Sequence, residues 1–456
     1  MFDARDPLAE VGDYALTFRG RQRPVQPSAS VEELRAAFCQ PLGEDGIAGA
    51  DVIGELIAAA EPGLVGNTDP NFFAWVMGSS DPVGVAADWL TSIWGQNAAI
   101  YQTAPSAAIA EEAAGAWLLE LLDLPPDCSV GFVTGATMAS FVGLAAARSE
   151  VLQRAGYDFE RLGLQGAPFV HVFMSDDIHV SDRTALRHLG FGDANVHPVP
   201  SDDAGLMSVE ALATAMDRVE GPKIIVAQAG HINSGGFEDF RAISELSKRH
   251  DAWLHVDGAF GLWARVLSEK AALTNGIELA DSWAVDGHKW LQIPYDSGFA
   301  IVRDAEAHRR VMGMSAGYLN TSDDDGREPS AYVPGLSRRA RGFAAWAVLK
   351  SLGKSGVREM VGRHCALART AGERIAEIDG LRVVNTVDLN QVVVALDALA
   401  SGKSLREISN DLNALGCFVR TTHWKGKDVL RLSFISNETT EAHLEKLISA
   451  LRQSVS

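Results

Sequence analysis

The sequence predicts an α/β protein built on a mostly parallel, doubly wound sheet, with a helical arm before it and a small α+β domain after it. Three observations carry this expectation. Between about residues 105 and 310, short β-branched runs alternate with helical stretches, the pattern of a parallel sheet whose crossovers are helices. Nearly every unusual polar residue falls just after one of those runs, where a doubly wound sheet places its ligand. The chain is 456 residues long and 47% hydrophobic, and its 40 Lys plus Arg against 59 Asp plus Glu give a formal charge of −19. Such a chain buries a large core, which excludes disordered and collagen-like classes, and its acidity argues against a grip on nucleic-acid phosphates.

Residues 1–95 read as a helical arm that serves dimerisation. VEELRAAF (31–38) and DVIGELIAAAEPG (51–63) place apolar residues three and four apart and close on Gly or Pro. The segment 69–84, DPNFFAWVMGSSDPVG, crowds Phe72, Phe73, Trp75 and Met77 between turn signals, and core, pocket wall or subunit interface would each account for it. The large domain follows over 96–350. Its strands are VGFVTG (130–135), FVHVFMS (169–175), KIIVAQAG (223–230), WLHVDG (253–258), ADSWAVD (280–286) and GFAIVRD (298–304), with helices from Thr137, at SDRTALRHLG and at EDFRAISELSKRH. A helical segment, SRRARGFAAWAVLKSLG (337–353), leads to the small domain, 351–456, with strands LRVVNT, NQVVVALD, CFVRTT and VLRLSFIS and the helix SLREISNDLNALG. Cys39, Cys128, Cys365 and Cys417 lie far apart without metal-site or redox spacing, so free thiols and no metal are expected. The acidic N-terminus does not read as a signal peptide, and no stretch nears the roughly 18 apolar residues of a membrane span. A cytoplasmic protein is the expectation.

Chemistry concentrates in three strings. In ADSWAVDGHKW (280–290), Lys289 sits on a loop after a strand, flanked by His288 and Trp290, where partial desolvation would favour a nucleophilic amine. A lone lysine is ordinarily a solvated surface charge. Context raises its standing, because WLHVDGAFGLW puts Asp257 at the end of an apolar strand, where a buried carboxylate needs a cationic partner such as a protonated pyridine nitrogen. The plainer role for Asp257 is a cap or turn residue. In VGFVTGATMASFVGLAAAR a strand runs through Gly135, Ala136 and Thr137 into a helix, a turn whose small residues let backbone N–H groups approach an anion. It is neither GxxxxGKS nor GxGxxG, which disfavours a nucleotide or nicotinamide fold.

These motifs, in this order and across most of the chain from about Pro70, resemble the pyridoxal-phosphate-dependent amino-acid decarboxylases of the aromatic-amino-acid and glutamate group, within the aspartate-aminotransferase fold (fold type I). The resemblance implies a pyridoxal 5'-phosphate cofactor carried by Lys289 as a Schiff base. It further implies Asp257 on the pyridine nitrogen, Ala259 below the ring, His179 of SDDIHVSDRTALRHLG stacked on it, and Gly135, Ala136 and Thr137 at the phosphate, with His288 before the lysine. The stretch 313–332 resembles the family's catalytic loop, with Tyr318 as the acid that protonates the substrate carbon after carbon dioxide leaves, or else as a plain surface-loop tyrosine. With both His179 and Tyr318 present, decarboxylation is expected over aldehyde synthesis.

SRRAR (337–341) is expected to serve structure or a subunit contact, leaving Arg431 as an alternative carboxylate binder. Three departures bear on fine chemistry: AGHI puts His231 where relatives carry a small hydroxyl residue near the cofactor, Met138 stands where an acid is common, and Gly287 where proline precedes the His-Lys pair. His231 is either a second acid/base at the cofactor or a satisfied core histidine. By resemblance a homodimer shares its site, and Trp75, Ile100 and Tyr101 then suggest a pocket for an apolar or aromatic side chain. Alternatives on the same fold are an aldehyde synthase, an aminotransferase or a Cα–Cβ lyase; a non-catalytic cofactor binder would have no need of the loop acid.

Overall fold

The computed structural model describes residues 6–21, 23–313, 326–397 and 402–455. Seven strands form the large sheet: β1 (Ser129–Val133), β2 (His171–Ser175), β3 (Val196–Val199), β4 (Lys223–Gln228), β5 (Trp253–Asp257), β6 (Ser282–Asp286) and β7 (Gly298–Val302). Their order is β1-β7-β6-β5-β4-β2-β3. The pairings from β6 across to β3 are parallel, while β7 runs antiparallel to both its neighbours. The mostly parallel α/β sheet expected from the sequence is therefore present. One strand escaped the sequence: β3 reads VHPV, and Pro198 cannot donate to a ladder. The sheet accepts it because β3 is an edge.

Strands β1, β4, β5, β6 and β7 are buried along their whole length, because helices cover both faces. Alternation along β5 sends Leu254 and Val256 to the core beneath the helix Gly342–Ile375, and Trp253 to the core shared with the helix Ala136–Arg154. His255 and Asp257 follow Trp253 to that second face, which sets the floor of the site.

The arm folds as helices Pro7–Gly20, Val31–Phe38, Gly49–Ala60 and Pro82–Trp94, the second closed by a Ser30–Glu33 capping box. At the other end, the helical segment Gly342–Ile375 breaks at Gly353 (φ 60°, ψ 180°). It leads to an antiparallel sheet of β8 (Leu381–Val383), β9 (Gln391–Leu396), β10 (Arg420–Trp424) and β11 (Lys427–Ser433), ordered β10-β11-β9-β8. Pairing in β10 starts three residues later than CFVRTT suggests. The Phe418 backbone is taken by the arm instead: its N–H donates to Asn71 O (3.0 Å) and its carbonyl accepts the Phe73 N–H (2.9 Å). That exchange brings the 69–81 loop onto the site.

Candidate active site

The carboxyl ends of β1, β2, β5 and β6 converge. After Asp286 closes β6, the loop carries His288 and Lys289, and Lys289 Nζ lies 2.9 Å from Asp286 Oδ2 and 5.8 Å from the centre of the Phe260 ring. Sequence reasoning pictured a desolvated lysine; the structure gives it a buried carboxylate partner. Asp286 Oδ1 accepts the Ala136 N–H (2.6 Å) at the start of the helix Ala136–Arg154, and His288 Nε2 lies 3.4 Å away. His288 stacks on Tyr295 at 4.3 Å, and its Nδ1 accepts the Ser297 N–H (3.3 Å). Burial lowers the His288 pKa, with Asp286 opposing, so the ring is neutral.

Gly135 sits where no side chain fits: a Cβ there would lie 2.9 Å from His288 Cε1 and 3.2 Å from Asp286 Oδ1. Thr137 is exposed in the first helical turn, where N–H groups have no acceptor within the helix and an anion is favoured. Asp257, the last residue of β5, is 8% exposed and accepts the Ala259 N–H on Oδ1 (3.0 Å). It thus fills the turn role, yet among the described residues it has no Lys or Arg partner. Ala259 is buried beside it, and its carbonyl accepts the Asp286 N–H (2.9 Å).

His179 caps the helix Val180–His188. Its Nδ1 accepts the Ser181 N–H (3.3 Å) and lies 2.6 Å from Ser181 Oγ, which puts the ring proton on Nε2. Burial lowers its pKa, against the pull of Asp257, while Lys289 and Arg431 add to the lowering. A neutral imidazole of fixed tautomer therefore stands among Asp257, Lys289 and Arg431. These groups fit pyridoxal phosphate: an amine for covalent attachment, a buried carboxylate lacking a cation, an imidazole beside both, and a glycine-tight helix N-terminus for the phosphate.

Other predicted residues fall less uniformly. His231 is fully buried with both ring nitrogens engaged: Nε2–H donates to Asp177 O (3.0 Å), and Nδ1 accepts the Asn233 and Ser234 N–H groups (3.3 Å each). Both ring nitrogens are thus engaged by protein partners, the arrangement of the core-histidine alternative. Trp75 is 45% exposed at φ 56° and packs on Phe418 (5.8 Å) and Phe72 (6.1 Å). Half-buried Ile100 and Tyr101 lie elsewhere, the Tyr101 N–H donating to Glu328 Oε2 (3.1 Å). Tyr318 lies outside the described residues. The arginines of SRRAR make structural pairs, Arg338 with Glu111, Arg339 with Asp88 and Arg341 with Asp296. Arg431 is half-buried, donates to Ile232 O (3.0 Å) and Asn233 Oδ1 (3.2 Å), and is pushed down to about 10 by desolvation. Sequence reasoning gave no role to Asp182 or Asp286. An acid three residues before Lys289 was the only signal for Asp286, and Asp182 left none.

The chain is similar to known proteins along most of its length. The pyridoxal-dependent decarboxylase conserved domain matches residues 44–397. The aromatic-L-amino-acid decarboxylase of Bacillus atrophaeus is 28% identical, covering 96% of this chain and 92% of its own length. The acidic amino acid decarboxylase GADL1 of Xenopus tropicalis is 28% identical, covering 70% and 63%. Among solved structures, the crystal structure of Oryza sativa TDC with PLP and tryptamine superposes with a TM-score of 0.91 at 23% identity, covering 100% of this chain and 99% of that one, which establishes the shared fold.

Proposed function

This chain belongs to the pyridoxal-dependent decarboxylase family, and from that premise we propose that it converts an L-amino acid with an apolar or aromatic side chain into the amine and carbon dioxide. It is a carboxy-lyase that uses pyridoxal phosphate. The observation that carries the reading is the convergence of Lys289, Asp257 and His179 at the strand ends.

When bound, the cofactor supplies a ring that accepts the electron pair released as carbon dioxide leaves. Lys289 would hold it covalently and give it up to the substrate amine. Asp257 would pair with the ring nitrogen, since its buried carboxylate has no Lys or Arg partner among the described residues. His179, held by Ser181, and Ala259 would line the ring site. Gly135, Ala136 and Thr137 would hold the phosphate, with His288 beside them. Arg431, half-buried and without a carboxylate partner among the described residues, is the candidate to hold the substrate carboxylate. Tyr318 keeps its role as proton donor to the substrate carbon. With His231 committed to protein partners, the feature that kept rival reactions open no longer supports them.

The preference for an apolar substrate rests on Trp75, whose loop meets the lysine directly: a Cβ on Gly78 would lie 2.1 Å from Lys289 O. The Bacillus relative, matched over nearly its whole length, is named for aromatic substrates. Ile100 and Tyr101 would reach this pocket from a second subunit. A homodimer is supported by apolar side chains left exposed on one flank, among them Trp89, Leu90, Ile93, Trp94, Ile109 and Trp346. Among the described residues no helix is long and apolar enough to cross a membrane.

The test is Lys289→Ala. The variant is expected to lose its cofactor absorbance on gel filtration, to resist borohydride fixation and to show no turnover. Wild-type turnover in a variant with confirmed cofactor would overturn the assignment.

A further inference from the structure

Behind Asp257 lies a chain of buried polar groups that the proposed reaction does not use. Asp182, on the helix Val180–His188, is fully buried. Its Oδ1 accepts the Ser140 hydroxyl (2.9 Å), its Oδ2 finds no donor among the described residues, and the Asp257 carboxylate is its neighbour. Beyond Ser140 the chain continues through His255 Nε2 (3.2 Å from Ser140 Oγ), His255 Nδ1 (2.8 Å from Ser282 Oγ) and the Trp253 indole (Nε1 to Ser282 Oγ, 2.9 Å).

One set of directions satisfies every donor in the chain. An indole N–H can only donate, so Ser282 accepts from Trp253, and its own proton is satisfied by donation to His255 Nδ1. His255 is then neutral with its proton on Nε2, which donates to Ser140 Oγ, and Ser140 donates to Asp182 Oδ1. Burial pushes the His255 pKa down to about 4, in agreement with that neutral form. The chain arrives at two carboxyl groups face to face in a dry interior, where both cannot be ionised.

We propose that Asp182 is a positioning residue, a neutral carboxyl that donates its proton from Oδ2 to Asp257 and so fixes the residue meant for the cofactor's ring nitrogen. The pair then carries one negative charge, which matches the single positive charge of a protonated pyridine. Desolvation and the neighbouring Asp257 both raise the affinity of Asp182 for that proton. A second observation supports a built channel. Gly143 interrupts the middle of the helix Ala136–Arg154, and a Cβ there would stand 2.9 Å from both Nδ1 and Cε1 of His255 and 3.1 Å from Ser282 Oγ. A mid-helix glycine is less favourable than alanine, and here it makes room for the chain.

The inference rests on the proposed role of Asp257 for its purpose, but its test uses cofactor-free protein and stands apart from that role. Infrared spectra are recorded at mildly alkaline pH with the aspartate carboxyls isotopically labelled, which silences Glu238. The wild type should show a protonated carboxyl band that Asp182→Asn removes. Asp281, the other aspartate among the described residues whose burial raises its proton affinity, is present in both proteins and cancels in the difference. Electrophoresis should find Asp182→Asn unchanged in net charge, because a neutral group replaces a neutral group. A band undiminished in Asp182→Asn, a wild type without the band, or a variant more positive by one charge would each overturn the proposal. Should Asp182→Asn fail to fold, Ser140→Ala serves instead: losing the hydroxyl on Oδ1 should move the band to higher frequency, and an unmoved band would contradict the pair. A protein that shows the band yet binds no cofactor would keep the carboxyl pair and lose only the catalytic reading.

Discussion

Lys289 Nζ and Asp286 Oδ2 stand 2.9 Å apart, and the other oxygen of the same carboxylate holds the Ala136 N–H at the start of a long helix. One side chain thus couples the reactive lysine to the turn expected to hold phosphate, before any cofactor arrives. Asp286→Ala should therefore destabilise the cofactor-free protein by about 1–3 kcal/mol, since it strips acceptors from a buried N–H and an ammonium. Asp286→Asn, which keeps an acceptor for Ala136, should recover part of the loss. Urea denaturation of the two variants checks this, and equal stabilities would contradict the bridging role.

Gly78 is the point where the arm presses on the catalytic loop. Gly78→Ala would put a methyl group 2.1 Å from Lys289 O and 2.4 Å from His288 O, so one backbone must move. The expected result is a loss of about 1–3 kcal/mol in stability together with most of the activity. Thermal melting and a turnover assay on the same sample read both.

Stability should peak at mildly acidic pH because two sets of buried groups pull in opposite directions. His255, His308 and His364 are pushed by burial from an ordinary 6.5 down to about 4, 3 and 3. As pH falls below 6.5 the unfolded chain takes up their protons and the native one does not, so their contribution is whole above 6.5 and lost on descent towards about 3. Glu238 is raised by burial from 4.5 to about 8. Its contribution is whole below 4.5 and lost as pH rises to about 8. Glu238→Gln should flatten the decline above pH 6.5 in urea denaturation, whereas a curve parallel to wild type there would contradict the assignment.

Trp75→Ala tests the pocket. With the side chain 45% exposed in the single chain, the fold should survive its loss. The specificity constant kcat/KM for aromatic amino acids should fall by roughly tenfold or more relative to small ones. An unchanged substrate ranking would remove Trp75 from the pocket.

Strands and their end residues were legible because buried parallel strands read as unbroken β-branched runs, and Asp257, Lys289 and the Gly135 turn stand directly after them. His179 needed the family's motif order. Pro198 hid β3, since its tolerance depends on edge position, a property of the whole sheet. Asp182 was invisible for the same kind of reason: SDRTALRH reads as a solvated helix face, and its burial comes from Ser140 and Asp257, which lie far off in the chain. His231 stood out as unusual, yet its partners Asp177, Asn233 and Ser234 decide its meaning, and only the fold assembles them.

The most direct test of the central claim is mass-spectrometric product analysis after incubating the cofactor-loaded protein, in air, with aromatic, aliphatic and acidic L-amino acids. The account predicts an amine that has lost one carboxyl group, formed fastest from an aromatic substrate, without consumption of dioxygen. An aldehyde formed with dioxygen consumed, or a keto acid formed by amino-group transfer, would contradict it.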